Sequence, residues 1–82
     1  MIKIELELKD NRISNARISG DFFMYPEEAI DELERAIEGV EAKRDALLAA
    51  VERFYSSTGV LTPMVEPWHW VEAILRAAGG GR

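Results

Sequence analysis

Ile18-Ser19-Gly20-Asp21-Phe22-Phe23-Met24-Tyr25-Pro26 carries an alternating strand pattern through a glycine and two aromatics and straight into a helix start. From just upstream and through it, Ala16, Ile18, Gly20 and Phe22 fall on one face of an extended chain. Further upstream, Ile2, Ile4, Leu6 and Leu8 alternate with Lys3, Glu5, Glu7 and Lys9, the period of a strand with one face in the core and one in water. The two runs make a hairpin, and its loop sets the register. A two-residue loop at Asp10-Asn11 sets Ile18 opposite Lys3 and sends it to the wet face. A three-residue loop, Asp10-Asn11-Arg12, pairs Leu8 with Ser14, Leu6 with Ala16 and Ile4 with Ile18, and is the expected one. Adjacent residues of an extended chain point to opposite sides, so Phe22 is expected in the core. Phe23, Met24 or Tyr25 then adds to an exposed apolar patch at the strand's end.

Downstream, Pro26-Glu27-Glu28 places a proline and two acids where a helix N-terminus accepts them. The core stripe of this helix is Ala29, Ile30, Leu33, Ala36 and Ile37, and Gly39 ends it. A second helix is predicted from about Glu41 to Ser56. It carries Leu47, Leu48, Val51, Phe54 and Tyr55 on one side and Ala46, Ala49 and Ala50 on another, where a second element can approach closely. Gly59 stops it, and Thr62-Pro63 and Glu66-Pro67 lead to a last helix from Pro67 to about Ala78. A hairpin buried on one face by three helices is a small α+β two-layer domain, with the helices on the face of Ile2, Ile4, Leu6, Leu8 and Ile18. Residues 1–78 form this single domain, and Gly79-Gly80-Gly81-Arg82 is expected to be a flexible tail. The pattern leaves open whether Asp21 to Met24 extends the second strand or bends off as a short third one.

With 82 residues, a chain buries only about 60–65% of the surface its unfolded form exposes, so its own stability is modest. It has no cysteine, hence no disulfide, thiolate ligand or thiol nucleophile. The formal charge of −5 opposes binding to nucleic acid. The apolar runs are short and broken by charges, so no membrane span or signal peptide is expected and a cytoplasmic location is the default. Acids gather in Glu27, Glu28, Asp31, Glu32, Glu34 and Glu38 against Arg35. A solvated helix face is the plain reading of this cluster; a surface that meets a basic partner is the sharper one.

Reactive groups are few. His69 is the single histidine, placed opposite the buried stripe of Val71, Ile74, Leu75 and Ala78, and is expected to be exposed. Trp68 and Trp70 lie on the two shoulders of that stripe, either partly exposed or wrapped round the edge of a thin core. The triple glycine has no helix after it and is no phosphate loop. The carboxylates of the first helix lie on its exterior, where nothing raises a pKa for acid catalysis or closes a metal site. Asp21 is placed to fix the turn through backbone N–H groups or to engage an arginine such as Arg17.

Gly20-Asp21-Phe22-Phe23 between a charged hairpin and a helix opened by Pro26-Glu27 resembles the C-terminal accessory domain of lipoate-protein ligases, over nearly the whole chain. The segment from Leu61 to Trp70 does not match the family's pattern. In that family a catalytic domain activates lipoate with ATP to lipoyl-AMP and passes the lipoyl group to a lysine of an acceptor domain. Some archaea and bacteria encode the accessory domain as a separate small subunit. The adenylate-binding motif and lysine of the catalytic domain are absent here. The resemblance therefore implies a non-catalytic subunit whose partners are the catalytic subunit and, indirectly, lipoyl-acceptor domains. Lipoate, ATP and magnesium are expected in the complex, and none is bound by this chain alone. Gly20, Asp21, Phe23, Met24 and Tyr25 are the expected partner interface. A free-standing interaction module or homodimer using the same patch is the alternative; a sulfur-transfer scaffold is excluded by the lack of cysteine.

Overall fold

A computed structural model describes residues 2–79. Strands β1 (Ile2–Lys9) and β2 (Arg12–Gly20) pair antiparallel in a two-stranded sheet. The loop corrects the sequence reading: Lys9 faces Arg12 and Leu8 faces Ile13, so the turn is the two residues Asp10-Asn11. Their φ values of 53° and 62° make it a type I′ turn, whose twist matches that of the flanking strands. The register then shifts between Glu7 and Leu8, with Glu7 facing Asn15. Ser14 is the extra residue of a β-bulge, and its hydroxyl donates to the Glu7 carbonyl at 3.1 Å. Parity forbids the two-residue loop only in a ladder without a bulge. Past it, Leu6 faces Ala16 and Ile4 faces Ile18, as expected.

The bulge decides which residue caps the core at this end. Ile13 is buried beneath the residues that follow the first helix: its N–H donates to the Val40 carbonyl at 3.0 Å and its carbonyl accepts from Gly39 at 2.7 Å. Leu8, which was expected in the core, is left 41% exposed across from it. Glu41 bridges Arg12 in antiparallel fashion, and the Glu34 carboxylate accepts the Ile18 N–H at 2.7 Å. The outer edge of β2 is thus covered by backbone at one end and by a side chain at the other.

Three helices follow, α1 (Ala29–Ile37), α2 (Arg44–Thr58) and α3 (Pro67–Gly79). The first begins after Pro26 because Pro26, Glu27 and Glu28 form tight turns, their carbonyls accepting from Ala29, Ile30 and Asp31 at 3.1 to 3.2 Å. Helix α2 starts later than Glu41 because Glu41 is engaged with Arg12 and Lys43 is extended, at φ −126° and ψ 146°. It ends on Gly59 at φ 66°, whose N–H donates to the Tyr55 carbonyl at 2.9 Å. Helix α1 packs on β2, α3 on β1, and α2 on both α1 and α3. The core so formed includes Ile18, Leu33, Ile37, Leu47, Val51, Phe54 and Ile74. Ala46 and Ala50 are half-buried and Ala49 is exposed.

The two tryptophans separate. Trp70 is wholly buried and meets Phe22 edge-to-face, with ring centroids 5.1 Å apart, while Trp68 is half exposed. Such an aromatic pair adds about 1 kcal/mol beyond its buried area. Of the expected tail, Gly79 is the last residue of α3 and residues 80–82 lie outside those described. Asp21 to Met24 form no third strand. The sheet ends at Gly20, and Tyr25 makes an isolated bridge to Leu61.

Candidate partner interface

Among the described residues six large apolar side chains are exposed: Leu8, Phe23, Tyr25, Leu61, Met64 and Trp68. Leu8 stands beside the hairpin turn, and the other five gather at the opposite end, where β2 leaves the sheet. The Phe23 and Tyr25 rings stack within 6° of parallel at 6.4 Å. Tyr25 and Leu61 exchange backbone hydrogen bonds of 2.9 and 3.0 Å. Phe23, Met64 and Trp68 line one groove of about 920 Å³ between the end of β2 and α3, with Gly20, Asp21 and Ile2 on its strand side.

Of the five expected interface residues, Gly20, Asp21, Phe23 and Tyr25 are exposed. Met24 is not: it is 4% exposed and belongs to the core. The reason is alternation along an extended segment, which sends Phe23 and Tyr25 to one side as a stacked pair and Met24 to the other. Phe22 is partly buried against the core and Phe23 is 66% exposed, the order expected from the strand pattern.

The facing wall is held by a directional chain of hydrogen bonds. The Thr62 hydroxyl donates to the Val65 carbonyl at 2.7 Å. Its single proton is thereby committed, so at their 2.7 Å contact Tyr55 donates to Thr62. The Tyr55 oxygen in turn accepts from Trp70 Nε1 at 2.7 Å. Val65 N–H also donates to the Thr62 carbonyl at 3.0 Å, closing a turn over Thr62-Pro63-Met64-Val65. Proline at its second position and φ 69° at Met64 make this a type II turn, whose third position ordinarily carries glycine or asparagine. Methionine there costs about 1–2 kcal/mol in backbone strain, and being 96% exposed it recovers nothing by burial in this chain.

His69 was expected in solvent, but it is half-buried and has a structural task. Its Nδ1 accepts the Glu66 N–H at 2.7 Å, the part a glutamate plays in a capping box, with Pro67 in the first helical position. The ring stacks on Trp68 at 3.9 Å, which fixes that indole on the groove wall. Glu72, also on the groove, pairs with Arg44 of α2. Glu27 and Glu28 are exposed immediately after Tyr25-Pro26, so the aromatic patch borders the acidic face of α1. Among the described residues no group of three or more His, Asp or Glu is placed to hold a metal ion, and no helix is long and apolar enough to cross a membrane. Leu61 and Met64 escaped sequence reading. The Thr62-Pro63-Met64 turn signal was there, but the bridge to Tyr25 that brings it beside Phe23 is long-range.

The family of the bacterial lipoate protein ligase C-terminus matches residues 1–62. Lipoate-protein ligase A subunit 2 of Thermoplasma acidophilum is 38% identical over 74 residues, spanning 90% of this chain and 76% of that protein. A solved chain of the bipartite lipoate protein ligase from the archaeal lipoylation system of Thermoplasma acidophilum, studied with its E2 lipoyl domain, superposes with a TM-score of 0.80 at 40% identity. That match covers 89% of this chain and 80% of the other.

Proposed function

Because this chain belongs to the lipoate-protein ligase C-terminal family, we propose that it is the accessory subunit of a two-component ligase, docking on a separate catalytic subunit and required with it to form lipoyl-AMP. The observation that carries this reading is the concentration of Phe23, Tyr25, Leu61, Met64 and Trp68 at one end of a small acidic domain. A few large apolar anchors in a polar rim are what protein interfaces are made of. The adjoining Glu27 and Glu28 suit a partner whose contact surface is rimmed by basic residues.

Two of the three helix starts disfavour a phosphate. The first turn of α1 carries Asp31 and Glu32, and that of α2 carries Asp45, where a phosphate would need positive potential. On this reading lipoate, ATP and magnesium are held by the catalytic subunit, and this chain's contribution is conformational. Docking steadies the catalytic subunit's closed form and keeps water from a reactive mixed anhydride, which gives a ligase a physical reason to need a subunit without catalytic groups.

The test mixes the two subunits and follows lipoate-dependent pyrophosphate release from ATP. Both subunits together are expected to form the adenylate and neither alone, and titration of the isolated chain with ATP and magnesium is expected to give no heat. Phe23→Ala should weaken assembly by about 1–3 kcal/mol, roughly 5- to 150-fold, without changing the isolated fold. Full adenylation by the catalytic subunit alone, or a micromolar ATP site on this chain, refutes the proposal.

A further inference from the structure

Met64 is the least explained residue of the described chain. It is 96% exposed, it occupies a left-handed position at φ 69°, and it stands on the rim of the groove of about 920 Å³ that Phe23 and Trp68 also line. Neither the turn nor the core selects methionine there; asparagine would suit the backbone better. A long, flexible, polarizable side chain on an open rim suits contact with another apolar surface. The groove is as large as small-molecule pockets become, yet such ligands need most of their surface enclosed. With Phe23 at 66% and Trp68 at 51% exposure, the groove is open along its rim. An extended stretch of polypeptide fits a trough of this kind.

The topology says which stretch. Ile2, at the start of β1, lines the groove. The matching family is the C-terminal part of bacterial ligases and aligns from residue 1. In those single-chain ligases the polypeptide arriving from the catalytic part therefore enters the domain beside this groove. We infer that the groove receives the C-terminal segment of the catalytic subunit, the stretch that runs into β1 in the single-chain form, with Met64 and Trp68 closing over its apolar side chains. This inference rests on the ligase reading above.

Binding of the full-length chain to the catalytic subunit, intact or lacking its last ten residues, is measured by calorimetry. Truncation is expected to weaken binding at least ten-fold. Met64→Asn should weaken binding of the intact subunit about as much, have little further effect on the truncated one, and leave the melting temperature of the isolated chain equal or higher. Trp68→Ala should repeat the pattern. A purely structural role for Met64 predicts the opposite sign in the melt. If the truncated subunit binds as tightly as the intact one, or Met64→Asn weakens both by the same factor, the groove assignment is overturned while the ligase reading stands. If the intact subunit fails to bind the wild-type chain, both fall. If the isolated chain dimerises at micromolar concentration and Trp68→Ala abolishes the dimer, the groove belongs to a second copy and the assignment is overturned.

Discussion

Tyr55→Phe removes one oxygen and is expected to be among the costlier conservative changes in this domain. Trp70 is wholly buried, and its indole N–H donates to that oxygen at 2.7 Å. Phenylalanine fills nearly the same volume, so no cavity opens, but the indole N–H is left in the core without a partner. A buried donor stranded in this way costs about 1–3 kcal/mol, and the lost bond to Thr62 adds about 1 kcal/mol. A net loss of about 2–4 kcal/mol is a melting shift of about 8–32 °C for a domain of this size, whereas the same change on an open surface moves stability by no more than about 0.5 kcal/mol. Urea titrations with an unchanged m-value give the free energy directly. A double-mutant cycle isolates the cause: in a Trp70→Phe background the donor is gone, and the further cost of Tyr55→Phe should shrink to about 1 kcal/mol or less. Tyr55→Phe within about 0.5 kcal/mol of wild type, or strict additivity with Trp70→Phe, refutes the reasoning.

The turn and the aromatic pair give two further outcomes. Asn11 stands at φ 62°, so Asn11→Gly should leave the melting temperature equal or raise it, while Asn11→Val should lose about 1–2 kcal/mol; equal melts for the two variants mean that the type I′ assignment is wrong. Phe22→Ala should cost about 3 kcal/mol, since that ring packs on the core and on Trp70, and Phe23→Ala should stay within about 0.5 kcal/mol in the same melts; the reverse order means the two faces are exchanged.

Local periodicity made most of the fold readable. The hydrophobic alternation of residues 2–8, the stripes of the three helices and the stops at Gly39 and Gly59 each depend on neighbours a few residues apart. What escaped was non-local. The bulge at Ser14 shows in the sequence only as a change of parity between Ile13 and Ala16, and the Gly39–Ala42 segment that docks along β2 beside it is distant in the chain. A three-residue loop solves the parity problem in a regular ladder, whereas a two-residue loop solves it only with a bulge. At the candidate interface, alternation reads Asp21, Phe23 and Tyr25 as outward and all three are exposed, whereas Gly20, read on the face of Ile18 and Phe22, is also exposed, and Met24, offered with Phe23 and Tyr25 for the exposed patch, is buried. Leu61 and Met64 join it through a backbone bridge between residues 36 positions apart, which no local pattern shows.

The same long-range link ties docking to stability. The groove's far wall is held by the chain from Trp70 through Tyr55 and Thr62 to Val65, so the bonds that secure a buried indole also set where Met64 and Leu61 stand. A domain of this size has little free energy to spare. Keeping five large apolar groups in water leaves their burial to be gained on assembly instead. A partner at about one hundred times its dissociation constant adds about 2.7 kcal/mol to the apparent stability of the chain it binds, which is as much as the Tyr55 hydroxyl is expected to contribute. Loss of the relay is therefore expected to act twice, once on the isolated fold and once on the proposed docking surface. Measurements on the complex alone would merge the two effects, and melts of the isolated chain set beside its binding affinity separate them.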